Sequence, residues 1–116
     1  DKVLKVSTIG RTFLDMIRSP DLCGGIYHVL EAYSEHAKRY LRLIVDETDQ
    51  NGSLIDKTRV GYILDERLGL SEPRIERWKK NVQRGGSRKL VADGDYSPTF
   101  SETWCLSINI EESLEQ

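Results

Sequence analysis

A helical periodicity of apolar residues between positions 26 and 44 constrains the fold of this chain more than any other feature of its sequence. Apolar side chains recur there every three or four positions with charged residues between them, at Ile26, Val29, Leu30, Tyr33, Ala37, Tyr40, Leu41 and Ile44. This spacing places them on one face of an α-helix. Gly24-Gly25 precedes the pattern, which predicts one long helix from Ile26 to Asp46 with an apolar face that other elements must cover.

Shorter segments on both sides of this helix predict three more helices. Apolar residues recur at helical spacing just before Pro20, which is expected to end the first helix. Ser53 is a suitable N-cap, and Gly69 is a suitable C-terminal stop for the helix that it begins. Ser71 provides another N-cap, with Pro73 in the first turn. The predicted helices therefore cover 11–18, 26–46, 53–69 and 74–83.

Two segments with alternating polarity, at opposite ends of the chain, predict β-strands. Val3 to Ser7 alternates over five residues, and Thr103 to Ile110 places Trp104, Leu106 and Ile108 on one face. The predicted fold is therefore α+β, with a helical middle of about four helices packed on a small sheet that pairs the N-terminal and C-terminal strands. A two-stranded sheet is marginally stable in water, so we expect the helices to cover its apolar face.

The size of the chain, 116 residues, suits a single domain with one hydrophobic core. It has no apolar stretch of the length expected for a signal peptide or a membrane span, which predicts a cytoplasmic protein with no membrane partner. The two cysteines, Cys23 and Cys105, are expected to be reduced and to pack as small apolar residues. Because the sequence opens directly on a predicted strand without an initiator Met, we interpret it as an excised domain.

Positive charge is concentrated between Lys57 and Lys89, where ten Lys or Arg residues accompany four acidic ones. From Leu90 onward there are six acidic residues and no basic one. This asymmetry is typical of a surface that meets a negatively charged partner, although a solvated helix face would have the same composition. The candidate residues for binding nucleic acid or a protein partner are Arg74, Arg77, Lys80, Arg84, Arg88, Lys89 and Tyr96.

The loop from Tyr96 to Ser101 is the part of the C-terminal segment that we expect to be available for partner contact. Gly85-Gly86 should end the basic helix, and the strand after residue 103 should belong to the scaffold. Arg74 to Lys89 could follow phosphates with an aromatic ring nearby for stacking. A nucleic-acid-binding module that uses the basic helix 74–89 is therefore one functional hypothesis.

Catalytic and metal-binding motifs are not expected in this chain. The segment 47–58 resembles a calcium loop but has Thr58 where a bidentate Glu is needed. His28, Glu31 and Glu35 share a helical face with His36 beside them, a pattern that is more typical of a solvated helix than of a zinc site. The sequence therefore predicts a protein that is not an enzyme and that has no cofactor.

Three blocks in order along the chain resemble a known family. The first is Val6-Ser7-Thr8 with Arg11 to Met16 and, after Pro20, Gly24-Gly25-Ile26. The second is Arg59 to Leu64 with Leu68-Gly69, and the third is Gly86 to Leu90 with Trp104, Leu106 and Asn109. Together they are similar to the C-terminal domain of AbiEi-family antitoxins, the transcriptional regulators of type IV toxin–antitoxin systems that act in abortive infection.

This resemblance implies a function. An AbiEi-like C-terminal domain over residues 1–116 would counteract a nucleotidyltransferase toxin without requiring a stable complex with it. The full-length protein would also repress its own operon through operator DNA. Family members carry an N-terminal winged helix-turn-helix, which does not occur in this sequence, so promoter binding through that unit is not assigned to this chain.

Overall fold

The computed structural model describes residues 2–82 and 88–110, with side chains from Thr8 onward. A 3₁₀ turn, Pro20–Cys23, joins the first two helices, and the fourth helix continues through Ile63–Arg67 as one π-helical turn. The described residues contain five α-helices and two short strands: α1 Lys2–Arg18, α2 Ile26–His36, α3 Leu41–Asn51, α4 Leu54–Tyr62, α5 Pro73–Lys80, β1 Phe100–Ser101 and β2 Leu106–Ser107. This arrangement confirms the predicted helical α+β fold. None of the helices described is long and apolar enough to cross a membrane.

The hydrophobic core lies between α1, α3 and α4, with α2 packed against α1. Tyr33 is completely buried, and its hydroxyl donates to the backbone oxygen of Phe13 at 2.7 Å. The two rings meet edge to face at 4.9 Å, a favourable aromatic geometry. Burial raises the pKa of the Tyr33 phenol, because the ionised form would lose its hydration. Tyr33 therefore fixes α2 to α1 through both packing and a hydrogen bond.

The predicted N-terminal strand is wrong, because residues 3–7 belong to α1. Five alternating residues are too few to distinguish a period of 2 from a period of 3.6. Gly10, which lies inside α1, does not end the helix. A Cβ at Gly10 would lie 2.5 Å from the backbone oxygen of Leu43, so the absence of a side chain allows α1 to lie directly against α3. The predicted pairing of the N-terminal and C-terminal strands is consequently wrong as well.

The single helix predicted over residues 26–46 is divided into α2 and α3 by a turn at 37–40. Backbone hydrogen bonds still run through the turn, from the amide of Tyr40 to the oxygen of His36 at 3.1 Å and from Ile44 to Tyr40 at 3.0 Å. No Gly or Pro marks this turn, and Ala37 remains fully buried. The apolar periodicity therefore continues across a break that has no local sequence signal.

The predicted start of α4 is confirmed. Ser53 Oγ accepts from the backbone amide of Asp56 at 3.3 Å, and Asp56 Oδ2 accepts from the amide of Ser53 at 2.9 Å. This reciprocal capping box satisfies two amides that a helix start would otherwise leave without partners. Gly69, at φ 67, ends the π-helical turn in the left-handed region that favours glycine, as expected.

The start and end of α5 differ slightly from the prediction. Glu72, rather than Ser71, is the N-cap, and its carboxylate accepts from the backbone amide of Arg74 at 2.7 Å. Pro73 occupies the first turn as predicted, since it has no amide hydrogen to satisfy. The helix ends at Lys80, and Gln83, the predicted end, lies outside the described residues.

The small sheet forms within the C-terminal segment alone. β1 and β2 are antiparallel, with Phe100 opposite Ser107, and Lys89 forms an isolated parallel bridge to Ser107. The strand predicted over 103–110 is therefore shortened to two residues, because Trp104 lies in the connecting turn. Cys105 follows it at φ 52. Trp104 is nevertheless completely buried, which confirms the prediction that it faces the helices.

Candidate functional site

The predicted basic face of α5 is largely neutralised by acidic residues. Arg74 Nη2 lies 2.7 Å from Glu72 Oε2, and Arg74 also pairs with Asp46 of α3. Arg77 Nη2 lies 2.6 Å from Asp49 Oδ1, the same oxygen that accepts from the indole nitrogen of Trp78 at 2.8 Å. These contacts attach α5 to α3.

Hydrogen bonds from α5 lower the pKa values of two carboxyl groups, those of Asp49 and Glu72. The hydrogen bond from Trp78, with further help from Arg77, lowers the pKa of Asp49 below its ordinary range. The hydrogen bond from Arg74 lowers the pKa of Glu72 in the same way. Both carboxyl groups are therefore ionised at neutral pH, and each is matched to an arginine.

The other predicted contact residues lie in different surroundings. Lys80 is exposed and has no ion pair among the described residues. Lys89 Nζ donates to the backbone oxygen of Gly94 at 2.9 Å, Arg88 is partly buried beside β2, and Tyr96 is 54% exposed. Arg84 lies outside the described residues. The predicted contact residues that the structure describes therefore lie in two places, on α5 and in the segment between residues 88 and 96.

A cleft of about 270 Å³ lies between the end of α1, α4 and the segment after Lys89. The 3₁₀ turn after α1 forms one wall, because Pro20 starts this turn directly at the end of the helix. We call it the arginine cleft, and its lining residues are Ile17, Arg18, Ser19, Pro20, Asp21, Leu22, Arg59, Leu90, Val91, Ala92 and Asp93.

One buried carboxylate organises the positive charge of the arginine cleft. Asp56 is only 5% exposed, and its Oδ2 accepts from Arg18 Nε at 3.0 Å as well as from the amide of Ser53. Arg18 Nη2 also donates to the backbone oxygen of Asn51 at 2.9 Å. The capping box of α4 therefore also fixes the end of α1.

Arg59 supplies the second guanidinium of the arginine cleft. Its Nε donates to the backbone oxygen of Lys89 at 2.9 Å, which ties α4 to the segment beside β2. Burial lowers the pKa of Arg59, the positive charge of Arg88 acts in the same direction, and Asp56 opposes both. Arg59 is thus a partly desolvated cation with another arginine near it.

The second and third of the blocks that resemble the antitoxin family meet beside this cleft, where Arg59 donates to the backbone oxygen of Lys89. A Cβ on Gly61 of α4 would lie 2.3 Å from the Trp104 ring, so the indole packs directly on the α4 backbone. Asn109 Oδ1 accepts from the amide of Val91, and Asn109 Nδ2 donates to its carbonyl, both at 2.9 Å. Separate segments of the chain, one of them in α4 and the others after Lys89, therefore form one packed unit.

Sequence analysis did not identify Arg18, Asp56 or Arg59 as site residues. Arg59 belongs to the second resemblance block, which was its only signal. Asp56 occupies the capping-box position after Ser53, so local structure alone accounts for an aspartate there. The sequence around it carries no signal of its ion pair with the distant Arg18. The packing of α1 against α4, which brings Arg18 and Asp56 together, is tertiary.

Two sequence patterns resemble metal sites, the His and Glu residues of α2 and the segment 47–58. His28, Glu31, Glu35 and His36 line a pocket of about 240 Å³ on α2. Within residues 8–82 and 88–110, no group of three His, Cys, Asp or Glu side chains is placed to hold a metal ion. The segment 47–58 is helical up to Asn51, so it is not a calcium loop.

Comparisons of the chain with models of protein families, with curated proteins and with solved structures gave no match.

Proposed function

We propose that this chain is the antitoxin domain of a type IV toxin–antitoxin system. In this proposal it counteracts a nucleotidyltransferase toxin and contributes to autoregulation of transcription in the full-length protein. The observation that supports the proposal is the contact between the second and third family-like blocks beside the arginine cleft. Residues that resemble one family at separate places in the sequence belong to one packed unit.

The contacts between the blocks support this interpretation physically. The Gly61 backbone accommodates the Trp104 ring, and Arg59 donates to the backbone of Lys89. A side chain at position 61 would overlap the indole, and the Arg59 side chain holds α4 to the segment of Lys89. The blocks therefore act chiefly as scaffold, and the cleft that they enclose is the surface on which we place partner recognition.

Co-expression with the toxin tests this function. The toxin used is a nucleotidyltransferase encoded next to this chain, and growth of the host is measured with and without the 116-residue chain. We expect rescue by the chain and by an Arg77→Ala plus Lys80→Ala variant on α5. We expect loss of rescue in an Arg59→Gln variant that is shown by circular dichroism to be folded. Failure of the folded wild-type chain to restore growth would contradict the proposal.

Nucleic-acid binding through α5 is the second candidate function. The observation in its favour is exposure, since the Arg77 side chain is 57% exposed despite its ion pair and Lys80 is exposed as well. Against this exposure stands the pairing of Arg74 and Arg77 with the acids of α3 and with Glu72. We therefore rank it below the antitoxin function.

A further inference from the structure

We propose that a groove between α1 and α2 binds an acidic amphipathic helix of a partner protein. The groove has a volume of about 380 Å³ and reaches the turn that joins α2 to α3. We call it the α1–α2 groove, and its lining residues are Thr8, Ile9, Thr12, Phe13, Met16, Ala32, His36 and Tyr40. It shares no lining residue with the arginine cleft, and it is tested on the purified chain alone. The inference therefore goes beyond the proposed antitoxin function and does not depend on it.

The α1–α2 groove has an apolar floor that is continuous with the core. Phe13 is buried, and Ile9, Met16 and Ala32 are half-buried and pack against the core. A partner that covers these side chains removes further apolar surface from water, which favours binding. The unbranched Met16 side chain can adapt to the shape of that partner.

The shape of the α1–α2 groove suits a helix. Its lining residues on α1 fall at positions 8–9, 12–13 and 16, so the groove follows α1 for about 12 Å at 1.5 Å per residue. A helix that lies in an apolar groove anchors itself through side chains at i, i+4 and i+7, which span about 10 Å. The length of the groove therefore matches the apolar face of a short helical segment.

Positive charge lies beside this groove at the turn after α2. Lys38 and Arg39 are exposed there, and neither forms an ion pair with any residue in the described part of the chain. The guanidinium carbon of Arg39 lies 5.5 Å from the centre of the Tyr40 ring, which lines the groove. Between Glu35 and Asp46 the sequence has three Lys or Arg residues and no acidic one. A partner with acidic residues next to its apolar face therefore complements this surface.

The acidic residues of α2 leave these cations available. Glu31 and Glu35 line a neighbouring pocket on α2 and do not line the groove. Glu35 precedes Arg39 by four positions, but its Oε1 lies 3.6 Å from Nε2 of His36 and it forms no ion pair with Arg39. Exposed acids at this distance are screened by water and salt, so they reduce the attraction of an acidic partner without reversing it.

The apolar floor favours a protein helix over the other partners that carry negative charge. Nucleic acids bind mainly through their phosphates, which gain nothing from an apolar groove. A membrane surface is contacted by exposed large apolar side chains, and those of the described chain lie outside the groove. They are Leu22, Tyr27, Tyr96 and Phe100. An amphipathic acidic helix uses both the floor and the cations.

Fluorescence anisotropy with designed peptides tests the α1–α2 groove. The probe is a labelled helical peptide with leucines at i, i+4 and i+7 and glutamates beside them, titrated with the 116-residue chain. One comparison peptide has lysines in place of the glutamates, and another has glutamines in place of the leucines. We expect each of these to bind about tenfold more weakly than the probe, because one loses the charge complementarity and the other loses the apolar anchors. Equal binding of all three peptides would overturn the proposal.

Two variants of the chain locate the binding. Ala32→Trp fills the groove, Lys38→Glu plus Arg39→Glu reverses the charge beside it, and each should weaken binding of the probe about tenfold or more. Their matched controls are Ser34→Trp, exposed on α2 outside the groove, and Lys80→Glu, exposed on α5, which should both bind as the wild type does. The charge-reversal variant changes only exposed side chains, so it keeps the proposal testable if Ala32→Trp does not fold. Unchanged binding in the charge-reversal variant would contradict the proposal.

Two further measurements distinguish other occupants of this surface. Single-stranded DNA that binds more tightly than the probe, and loses this binding on charge reversal, would show that the turn serves nucleic acid instead. A dimer of the chain in sedimentation, dissociated by Ala32→Trp, would show that the groove holds a second copy. Either result would overturn the proposal of a partner helix. Because no toxin is present, these outcomes do not depend on whether the chain is an antitoxin.

Discussion

Two arginine-rich regions of this molecule use the same side chain in different ways. On α5, Arg74 and Arg77 each form an ion pair with a carboxylate of α3, and these pairs attach α5 to α3. In the arginine cleft, Arg18 and Arg59 lie beside a single buried carboxylate, Asp56. The sequence is more basic around α5, but Arg74 and Arg77 there are paired with acids of α3.

This difference shows that a count of basic residues does not locate a binding surface. What matters is whether an acid lies within contact distance in the folded chain, since a matched arginine contributes little field to its surroundings. The experiments that follow are ordered from the largest expected effect to the smallest, and each compares the arginine cleft with α5.

Removing the acidic partner from each region should give the largest difference in the free energy of unfolding between the two regions. Asp56→Ala leaves Arg18 without its buried partner and also removes half of the α4 capping box, so we expect a loss of about 2–3 kcal/mol in the free energy of unfolding. Asp49→Ala on the α5 side should cost less, about 1–2 kcal/mol, because the pair with Arg77 is largely exposed and the hydrogen bond from Trp78 is the main loss. Urea denaturation measures both variants, and equal losses would remove the distinction between the two regions.

The close contact of α4 with Trp104 should also be sensitive. Gly61→Ala introduces a methyl group 2.3 Å from the indole, and we expect it to destabilise the chain by about 2 kcal/mol. Because Arg59 lies on the same helix, the variant should also weaken the hydrogen bond from Arg59 to the backbone of Lys89. The ion pairs of α5 should remain intact. Trp104→Phe removes the ring atoms nearest to Gly61, so the double variant should lose less stability than the sum of the single ones. Additive losses would mean that the two residues do not press on each other.

Acid should loosen the attachment of α5 to the rest of the protein. The folded-state pKa values of Asp49 and Glu72 are lowered, so their stabilisation is present above the ordinary carboxyl range of about 4 and is lost as the pH falls through the lower folded values. Trp78 donates to Asp49, so its fluorescence should change in this window. Asp49→Asn should reduce the acid dependence, whereas Asp21→Asn, at an exposed position, should leave it unchanged. An unchanged profile in Asp49→Asn would contradict the role of that carboxylate.

The smallest effect is expected for nucleic-acid binding through α5. Because Arg77 is already matched to Asp49, the Arg77→Ala plus Lys80→Ala variant should lower the salt slope of any nucleic-acid binding by no more than about one. A decrease of about two, measured by titrations at several salt concentrations, would restore α5 as a phosphate-contacting surface. The control is Arg42→Gln, whose change in slope gives the background for an exposed arginine.

Local sequence signals predicted much of the fold. The Ser53 cap, the stop at Gly69 and the burial of Trp104 were all predicted correctly. These features depend on residues that are close in sequence or on side-chain hydrophobicity, both of which can be read directly. The Arg11–Asp15 pair on α1, at 3.3 Å, is another contact of this local kind, since its residues lie four positions apart on one helix.

The errors have a common physical cause. The apolar periodicity continues from α2 into α3 because both helices cover the same core, so it gives no sign of the turn at 37–40. The alternation of residues 3–7 is also a weak pattern, because five residues fit a strand and a helix alike, and these residues lie in α1.

The sequence by itself determined the helical content, the faces that are buried and the caps that begin and end several helices. Only the tertiary structure decided where charge remains available, because Arg74 and Arg77 find acids 28 residues away and Arg18 finds Asp56 at a separation of 38. Such partners follow from the packing of α1, α3, α4 and α5, and no local spacing specifies them. The arginine cleft, which the sequence did not reveal, is a product of that packing.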